Sequence, residues 1–286
     1  SYDPLGVGIG RPQLPALLTP SLSARPVFQG ESQRGLLTPI LREHASANVG
    51  AQASANFGWV EAKGLLDGIK LLRQSFGFGH KSNPQDNFAA IDGWELWAGN
   101  KCLEPEEIAS SLAGVLRHMG LSREFAPRVL LVAHGSCSTN NAMAAGLDCG
   151  ACGGQSGEVN VRVLAYFLNL ASVRVALSAS GITLPDATKF IACLHNTTSD
   201  EIQWLSAPQE ASSSDLEYWQ SWLLAAGDHA RAARAAALNI TAETPVSRSK
   251  AFTQLTQDWA QLRPEWGLAN NAAFIVAPRS ATRALN

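Results

Sequence analysis

The segment 128–141 reads RVLLVAHGSCSTNN and contains the pattern that decides the fold. It opens with Arg128–Ala133, a continuous apolar run of the kind expected for a strand buried on both faces. Lys189–Leu194 and Ala272–Ala277 have the same character, and segments of helical character separate the three runs. This alternation predicts an α/β fold in which the three strands are neighbours in a parallel sheet with flanking helices. Three strands are few for such a sheet, so we expect this chain to supply only part of it.

Other segments carry the periodicity or the boundary residues of helices. Pro105, for example, favours a helix start, because proline lacks the N–H group that goes unpaired there. The predicted helices are Trp59–Phe76, Pro105–Met119, Glu158–Leu170, Asp215–Leu238 and Ser249–Leu262. We therefore interpret residues 1–100 as an irregular peripheral region with one amphipathic helix, and residues 101–286 as the α/β domain.

Composition narrows the class of protein. Charged residues make up 16% of the 286 residues, against about 25% in an average soluble protein. Such a surface is expected where a partner covers part of it, and equally in a chain whose composition is simply rich in alanine. The net charge of −2 offers no basic patch large enough for nucleic acid. The most apolar stretch, Val161–Ala179, is interrupted by Arg162, Asn169 and Arg174, so we expect no membrane-spanning helix.

The cysteines and the first residues bear on the cellular compartment. The chain has five cysteines, and an odd number favours a reducing compartment over a secreted disulfide framework. The first residues show no basic region followed by an apolar stretch, so we expect no signal peptide. Since there is no initial methionine, we expect a processed chain or a piece of a longer one.

A candidate metal site follows the first strand. His134 comes directly after Arg128–Ala133, and sites in open α/β sheets form at the carboxyl ends of strands. Imidazole and thiolate are the usual zinc ligands, so His134 and Cys149 could converge on one Zn²⁺ ion. Asp148, or another carboxylate, could orient the histidine by accepting a hydrogen bond from its other ring nitrogen. On this interpretation residues 101–286 form a zinc-site domain.

Other interpretations of the same residues stay open. A histidine at a strand end can simply be hydrogen-bonded, and a cysteine can be a small buried hydrophobe. The spacing Cys149-x-x-Cys152 also suits a redox dithiol, or a zinc knuckle completed by Cys193 and His195 on one strand face. A serine hydrolase is disfavoured, because the glycine–serine pair after His134 lacks the second glycine of a nucleophile elbow.

Several motifs of this chain resemble the signature of the DabA family, strongly from about residue 128 to 279. The motifs are His134-Gly135-Ser136-Cys137-Ser138-Thr139-Asn140-Asn141, the stretch 146–154 (GLDCGACGG), 184–187 (LPDA), 195–200 (HNTTSD) and 263–269 (RPEWGLA). They are long and unusual, so chance agreement is improbable.

The resemblance implies a function, a cofactor and a partner. DabA proteins are large subunits docked on a membrane partner, DabB, which resembles the proton-translocating subunits of respiratory complex I. They carry a fold and a zinc site similar to β-carbonic anhydrase, and their proposed role is energy-coupled hydration of CO2 to bicarbonate. The implied location is the cytoplasmic face of the bacterial inner membrane. The family's zinc ligands are a Cys-x-Asp pair, then a histidine and a cysteine that match His134 and Cys149.

Two departures from the family pattern qualify this expectation. Ala142 stands where the family has proline after the paired asparagines, and no Cys-x-Asp-x-Arg segment occurs in the chain. We therefore expect an internal portion of a longer polypeptide, a carbonic-anhydrase-like zinc lyase only when completed by the absent segment. Alternatively, the remainder lies in another chain, or the site has been lost. Ser136, Ser138 and Asn140 are candidate pocket residues, and their other possible role is to cap the loop backbone.

A second functional hypothesis involves no catalysis. In it the chain holds a structural zinc, or none, and serves as an interaction module that docks a membrane partner. A closed sphere of four ligands from this chain alone would favour the structural role, whereas an open site that needs an outside Cys-x-Asp would favour the enzyme.

Overall fold

A computed structural model describes residues 1–3, 19–28, 56–75, 88, 91–136, 156–206, 213–257 and 277–283. These residues form a mixed α/β fold with two small sheets. The elements are β1 (Ser23–Val27), α1 (Asn56–Ser75), β2 (Gly93–Ala98), β3 (Lys101–Cys102), α2 (Pro105–His118), β4 (Arg128–Gly135), α3 (Glu158–Asn169), α4 (Ala171–Ala179), β5 (Lys189–Asn196), β6 (Glu201–Trp204), α5 (Ser213–Ala235), α6 (Pro245–Gln257) and the 3-10 helix Arg279–Thr282.

The first sheet is antiparallel and lies in a part of the chain where the sequence predicted no strand. β1 pairs with β2, and β2 pairs with β3 across a tight turn at Gly99, whose φ is +59°. The rings of Tyr2, Phe88 and Trp94 pack together on this sheet, with centroids 5.9–6.2 Å apart. The 1–100 region therefore contains strands and buried aromatic residues in addition to its predicted helix.

Helix α2 follows the first sheet and has the boundaries that the sequence indicated. Pro105 stands in its first turn, and the Glu104 backbone N–H donates to the Glu107 carboxylate at 3.2 Å. Gly120 follows the helix with a φ of +75°, a left-handed conformation that glycine adopts without steric cost. The apolar face of α2 is buried in the core, through Ile108, Ala109, Leu112, Ala113 and Leu116.

The second sheet contains two of the three predicted strands. β4 and β5 pair in parallel and in register, from Arg128 opposite Lys189 to Gly135 opposite Asn196, which confirms that they are parallel neighbours. Ala272–Ala277 lies, except for its last residue, outside the described residues. The sheet also contains an unpredicted strand, because β6 pairs with β5 antiparallel. Only residues 197–200 separate these two strands, and a parallel crossover would need about a dozen residues.

Helix α3 packs on β4 and β5 of the second sheet, and α4 packs against α2 and α3. The sequence predicted α3, and α4 follows it directly after Leu170. The Arg174 side chain, in α4, donates to three backbone carbonyls, those of Leu168, Pro185 and Thr188. Within the described residues, no single helix is long and apolar enough to cross a bilayer. Only α3 and α4 counted together reach that length and composition, and they are bent by 78° at their junction.

Candidate functional site

The carboxyl ends of β4 and β5 place two histidines side by side. His134 and His195 occupy paired positions in the parallel register. Paired positions on neighbouring strands put their side chains on the same face of the sheet. Both histidines are partly exposed. This strand-end edge is where ligand sites form in open α/β sheets.

The backbone of His134 is tied to the start of α3. Its carbonyl accepts a hydrogen bond of 2.8 Å from the Gly157 N–H. A Cβ at Gly157 would lie 2.9 Å from the Ala133 Cβ and 3.2 Å from the His134 oxygen, so glycine permits this close approach. The Ser156 hydroxyl accepts from the Glu158 N–H at 3.1 Å. The chain therefore leaves the strand at Gly135 and returns to the same point.

The turn from β5 to β6 is hydrogen-bonded to the same edge of the sheet. The Thr197 N–H and hydroxyl both donate to the Gly135 carbonyl, at 2.7 and 3.0 Å. The Asn196 side-chain oxygen accepts from the Thr198 N–H at 3.1 Å and from its hydroxyl at 2.6 Å. Asp200 closes the turn with its N–H on the Asn196 carbonyl at 2.7 Å and a left-handed φ of +55°.

The Asp200 carboxylate joins the turn to His195 and to helix α5. Its Oδ1 lies 3.1 Å from His195 Nε2, and its Oδ2 accepts a hydrogen bond from Arg234 Nη2. Arg234 also donates to the Thr197 carbonyl at 3.1 Å. Arg231 is buried and donates from Nη1 to the Ser199 carbonyl at 3.0 Å. Two arginines of one helix thus hold this turn by its carbonyls and its carboxylate.

The predicted site residues fall partly within the described structure. His134 stands at the carboxyl end of β4, where the sequence placed it, and Ser136 follows the strand half-buried. The other candidates lie outside the described residues: Cys149, Asp148, Ser138 and Asn140. The convergence of His134 and Cys149 on one ion therefore stays a prediction.

The described residues include one of the two predicted zinc ligands, His134. Among the residues that the structure describes, no group of three or more His, Cys, Asp or Glu side chains could hold a metal ion. His134 nevertheless offers an imidazole, a usual zinc ligand, at an accessible strand end. An imidazole at this position is compatible with one zinc ligand, and the described residues supply no complete ligand set.

The alternative zinc site that uses Cys193 and His195 is disfavoured. Cys193 is fully buried, and burial raises the pKa of its thiol to about 11. Zinc binds the thiolate, which this environment opposes. Cys152 lies outside the described residues.

The network of Asp200, Arg231 and Arg234 was not recognised as part of a site from the sequence. Asp200 appeared only within the motif 195–200, and the two arginines lie three positions apart in an alanine-rich helix. That spacing puts both on one helical face, which was the signal available. Periodicity alone does not reveal which strand end this face approaches.

Comparisons with known proteins agree with the motifs. The family model "Probable inorganic carbon transporter subunit DabA" matches residues 1–286. Curated relatives of that same name include proteins of Hydrogenovibrio crunogenus, 41% identical over 285 residues, and of a Marinomonas species, 39% identical over 278 residues. The alignments cover 100% and 96% of this chain but 34% of each relative. A Paracidovorax citrulli relative is 42% identical, with 99% of this chain and 35% of the relative covered. The chain thus spans about a third of these relatives' length, and no solved structure matches it.

Proposed function

This chain belongs to the DabA family of probable inorganic carbon transporter subunits, and from that premise we propose that it supplies part of a β-carbonic-anhydrase-like zinc site that hydrates CO2 to bicarbonate for uptake. The observation that supports the proposal is the position of His134, an imidazole at the carboxyl end of a parallel strand. Strand ends of open α/β sheets are the usual place for such sites.

In this proposal His134 and Cys149 are two of the zinc ligands. Zinc, when bound, lowers the pKa of a coordinated water to about 7. His134 would hold its ligand position through the backbone bond to Gly157 at 2.8 Å. Asp148 would orient a ligand, and Ser136, Ser138 and Asn140 would line the pocket.

The proposed site is incomplete in this chain. Catalytic zinc sites normally use three protein ligands and one open position, and the residues named here supply two. We place the missing Cys-x-Asp pair in the remainder of the longer polypeptide, since the chain spans about a third of its relatives. The same remainder would add strands to the sheet. The full subunit would dock on a membrane partner, DabB, at the cytoplasmic face of the inner membrane.

The test combines zinc content with CO2 hydration in the full-length subunit. We expect His134→Ala and Cys149→Ser to reduce bound zinc strongly, whereas Cys152→Ser, the matched neighbouring cysteine, retains it. If only Cys152→Ser releases zinc, the ligand assignment is wrong. Stopped-flow assays should detect hydration by the full-length subunit with its membrane partner and no appreciable hydration by the 286-residue chain alone. Zinc-dependent hydration by the isolated chain that Cys149→Ala abolishes would contradict this division of the site.

A further inference from the structure

The hydrogen bonds around His195 determine which of its ring nitrogens carries the proton. Nε2 lies 3.1 Å from Asp200 Oδ1, and the other carboxylate oxygen accepts from the Arg234 guanidinium. An ionised carboxylate only accepts hydrogen bonds, so Nε2 must be the protonated nitrogen. In a neutral imidazole, Nδ1 is then a hydrogen-bond acceptor.

The partner of Nε2 is fixed in place by contacts on several sides. Asp200 is buried, with 6% of its surface exposed, and its backbone has a left-handed φ of +55°. Its carbonyl oxygen lies so close to α5 that a Cβ at Gly227 would be 2.3 Å away. Arg231 donates to the neighbouring Ser199 carbonyl. The carboxylate therefore cannot turn away, and the ring of His195 is held in one orientation.

The second nitrogen of His195 is left for a ligand at the strand-end edge. Among the residues that the structure describes, Nδ1 has no hydrogen-bond partner, and 36% of the side chain is exposed. The side chain shares a sheet face with His134, its partner in the register. An acceptor of fixed orientation thus stands beside the proposed zinc ligand.

We propose that His195 is a binding residue for bicarbonate, with Nδ1 accepting a hydrogen bond from the bicarbonate hydroxyl and with Asp200 and Arg234 as positioning residues. Bicarbonate carries one O–H donor, whereas CO2 has none. Nitrate has the same planar shape and charge but also lacks a donor. The contact therefore discriminates by the hydroxyl group. The choice of bicarbonate rests on the proposed function, while the protonation pattern of the ring does not.

The first test uses nitrogen-15 NMR of the histidine-labelled chain to measure which ring nitrogen of His195 carries the proton. It is done at about pH 8.5, above the ordinary histidine pKa of ~6.5. Wild-type His195 should show a protonated Nε2 and an unprotonated Nδ1. His118 is an internal reference with the opposite pattern, because its Nδ1 lies 2.7 Å from the Gly114 carbonyl. That signal also reports whether α2 is intact in each variant.

Asp200→Asn should reverse the pattern. Asparagine tolerates the left-handed backbone, so the turn is preserved. Arg234 can only donate, so the single amide oxygen goes to Arg234 and the amide NH2 faces His195 Nε2. Nε2 must then accept, and the proton moves to Nδ1. Arg234→Lys, which disturbs the same network but leaves the carboxylate, should keep the wild-type pattern, as should Asp228→Asn elsewhere on α5.

The second test adds bicarbonate and nitrate separately to the same samples. Bicarbonate should shift the Nδ1 resonance of wild-type His195 saturably, and nitrate should not. In Asp200→Asn the protonated Nδ1 can donate to an oxygen of either anion, so the preference for bicarbonate over nitrate should be lost. A protonated Nδ1 in the wild type, an unchanged pattern in Asp200→Asn, or an equal response of the wild type to bicarbonate and nitrate would overturn the inference. If the full-length subunit binds no zinc or does not hydrate CO2 while these NMR results hold, only the proposed function is refuted.

Discussion

Gly227 allows helix α5 to lie directly against the turn that carries Asp200. A methyl group at this position would meet the Asp200 carbonyl oxygen at 2.3 Å and Arg231 Nη1 at 3.3 Å. Because ordinary contacts begin near 3.4 Å, either the helix or the turn would have to move by roughly 1 Å. We therefore predict that Gly227→Ala destabilises the protein, although alanine is the better helix former.

The expected change in the free energy of unfolding of Gly227→Ala is the sum of two opposing contributions. Alanine gains about 1 kcal/mol over glycine inside a helix. Overpacking against a fixed group costs about 1–3 kcal/mol, and we expect about 2–3 kcal/mol here because the group is a backbone oxygen rather than a flexible side chain. The net result should be a loss of about 1–2 kcal/mol. Gly114→Ala in α2 is the matched control, because a Cβ there has nothing within 4 Å. It should gain up to about 1 kcal/mol.

Urea unfolding followed by far-ultraviolet circular dichroism compares the two variants with wild type. The difference between them should be about 2–3 kcal/mol, with similar slopes against urea concentration. Gly227→Ala should also broaden or shift the His195 signals in NMR spectra, since the turn moves. A Gly227→Ala protein as stable as Gly114→Ala would refute the close packing of α5 on the Asp200 turn.

Two further predictions concern the buried thiol of Cys193 and the half-buried guanidinium of Arg174. Burial raises the pKa of Cys193 to about 11, whereas unfolding returns it to ~8.5. The folded state therefore holds the thiol proton to higher pH, and the free energy of unfolding falls as the pH rises from about 8.5 to 11. Urea titrations over this range should show wild type losing up to about 3 kcal/mol more than Cys193→Ala. Equal losses in the two proteins would contradict the burial of the thiol. Arg174→Met should lower the free energy of unfolding by about 2–3 kcal/mol in the same assay, because three backbone carbonyls lose a charged donor. Arg123→Met, at an exposed position, is the control and should change it by less than about 0.5 kcal/mol. Similar losses for both arginines would refute the role of the Arg174 hydrogen bonds.

Local patterns were sufficient for the elements with strong signals. Arg128–Ala133 and Lys189–Leu194 were recognisable as buried parallel strands because every residue after the first is apolar. Strand β6 was missed because its four residues, EIQW, give too short an alternation, and its pairing depends on the 197–200 turn. β1 and β2 were missed for a related reason, since they pair across more than sixty residues of sequence.

The candidate site shows the same division between local and distant information. His134 was identifiable because it directly follows an apolar strand. The orientation of His195 depends on Asp200 and on Arg234, which lies 34 residues beyond Asp200 in another helix. No periodic pattern in the sequence indicates that this helix meets the strand end. Such contacts become visible only when α5 is placed against the sheet.

The hydrogen bond from Gly157 to the His134 carbonyl closes the segment 135–156 into a ring at its base. Closing a longer ring is entropically cheap, since each doubling of length costs only about 0.6 kcal/mol. The free energy of folding therefore depends little on the number of residues between Gly135 and Ser156. In the proposed function, the residues that the zinc site requires, Cys149 above all, are what constrain the sequence of this segment.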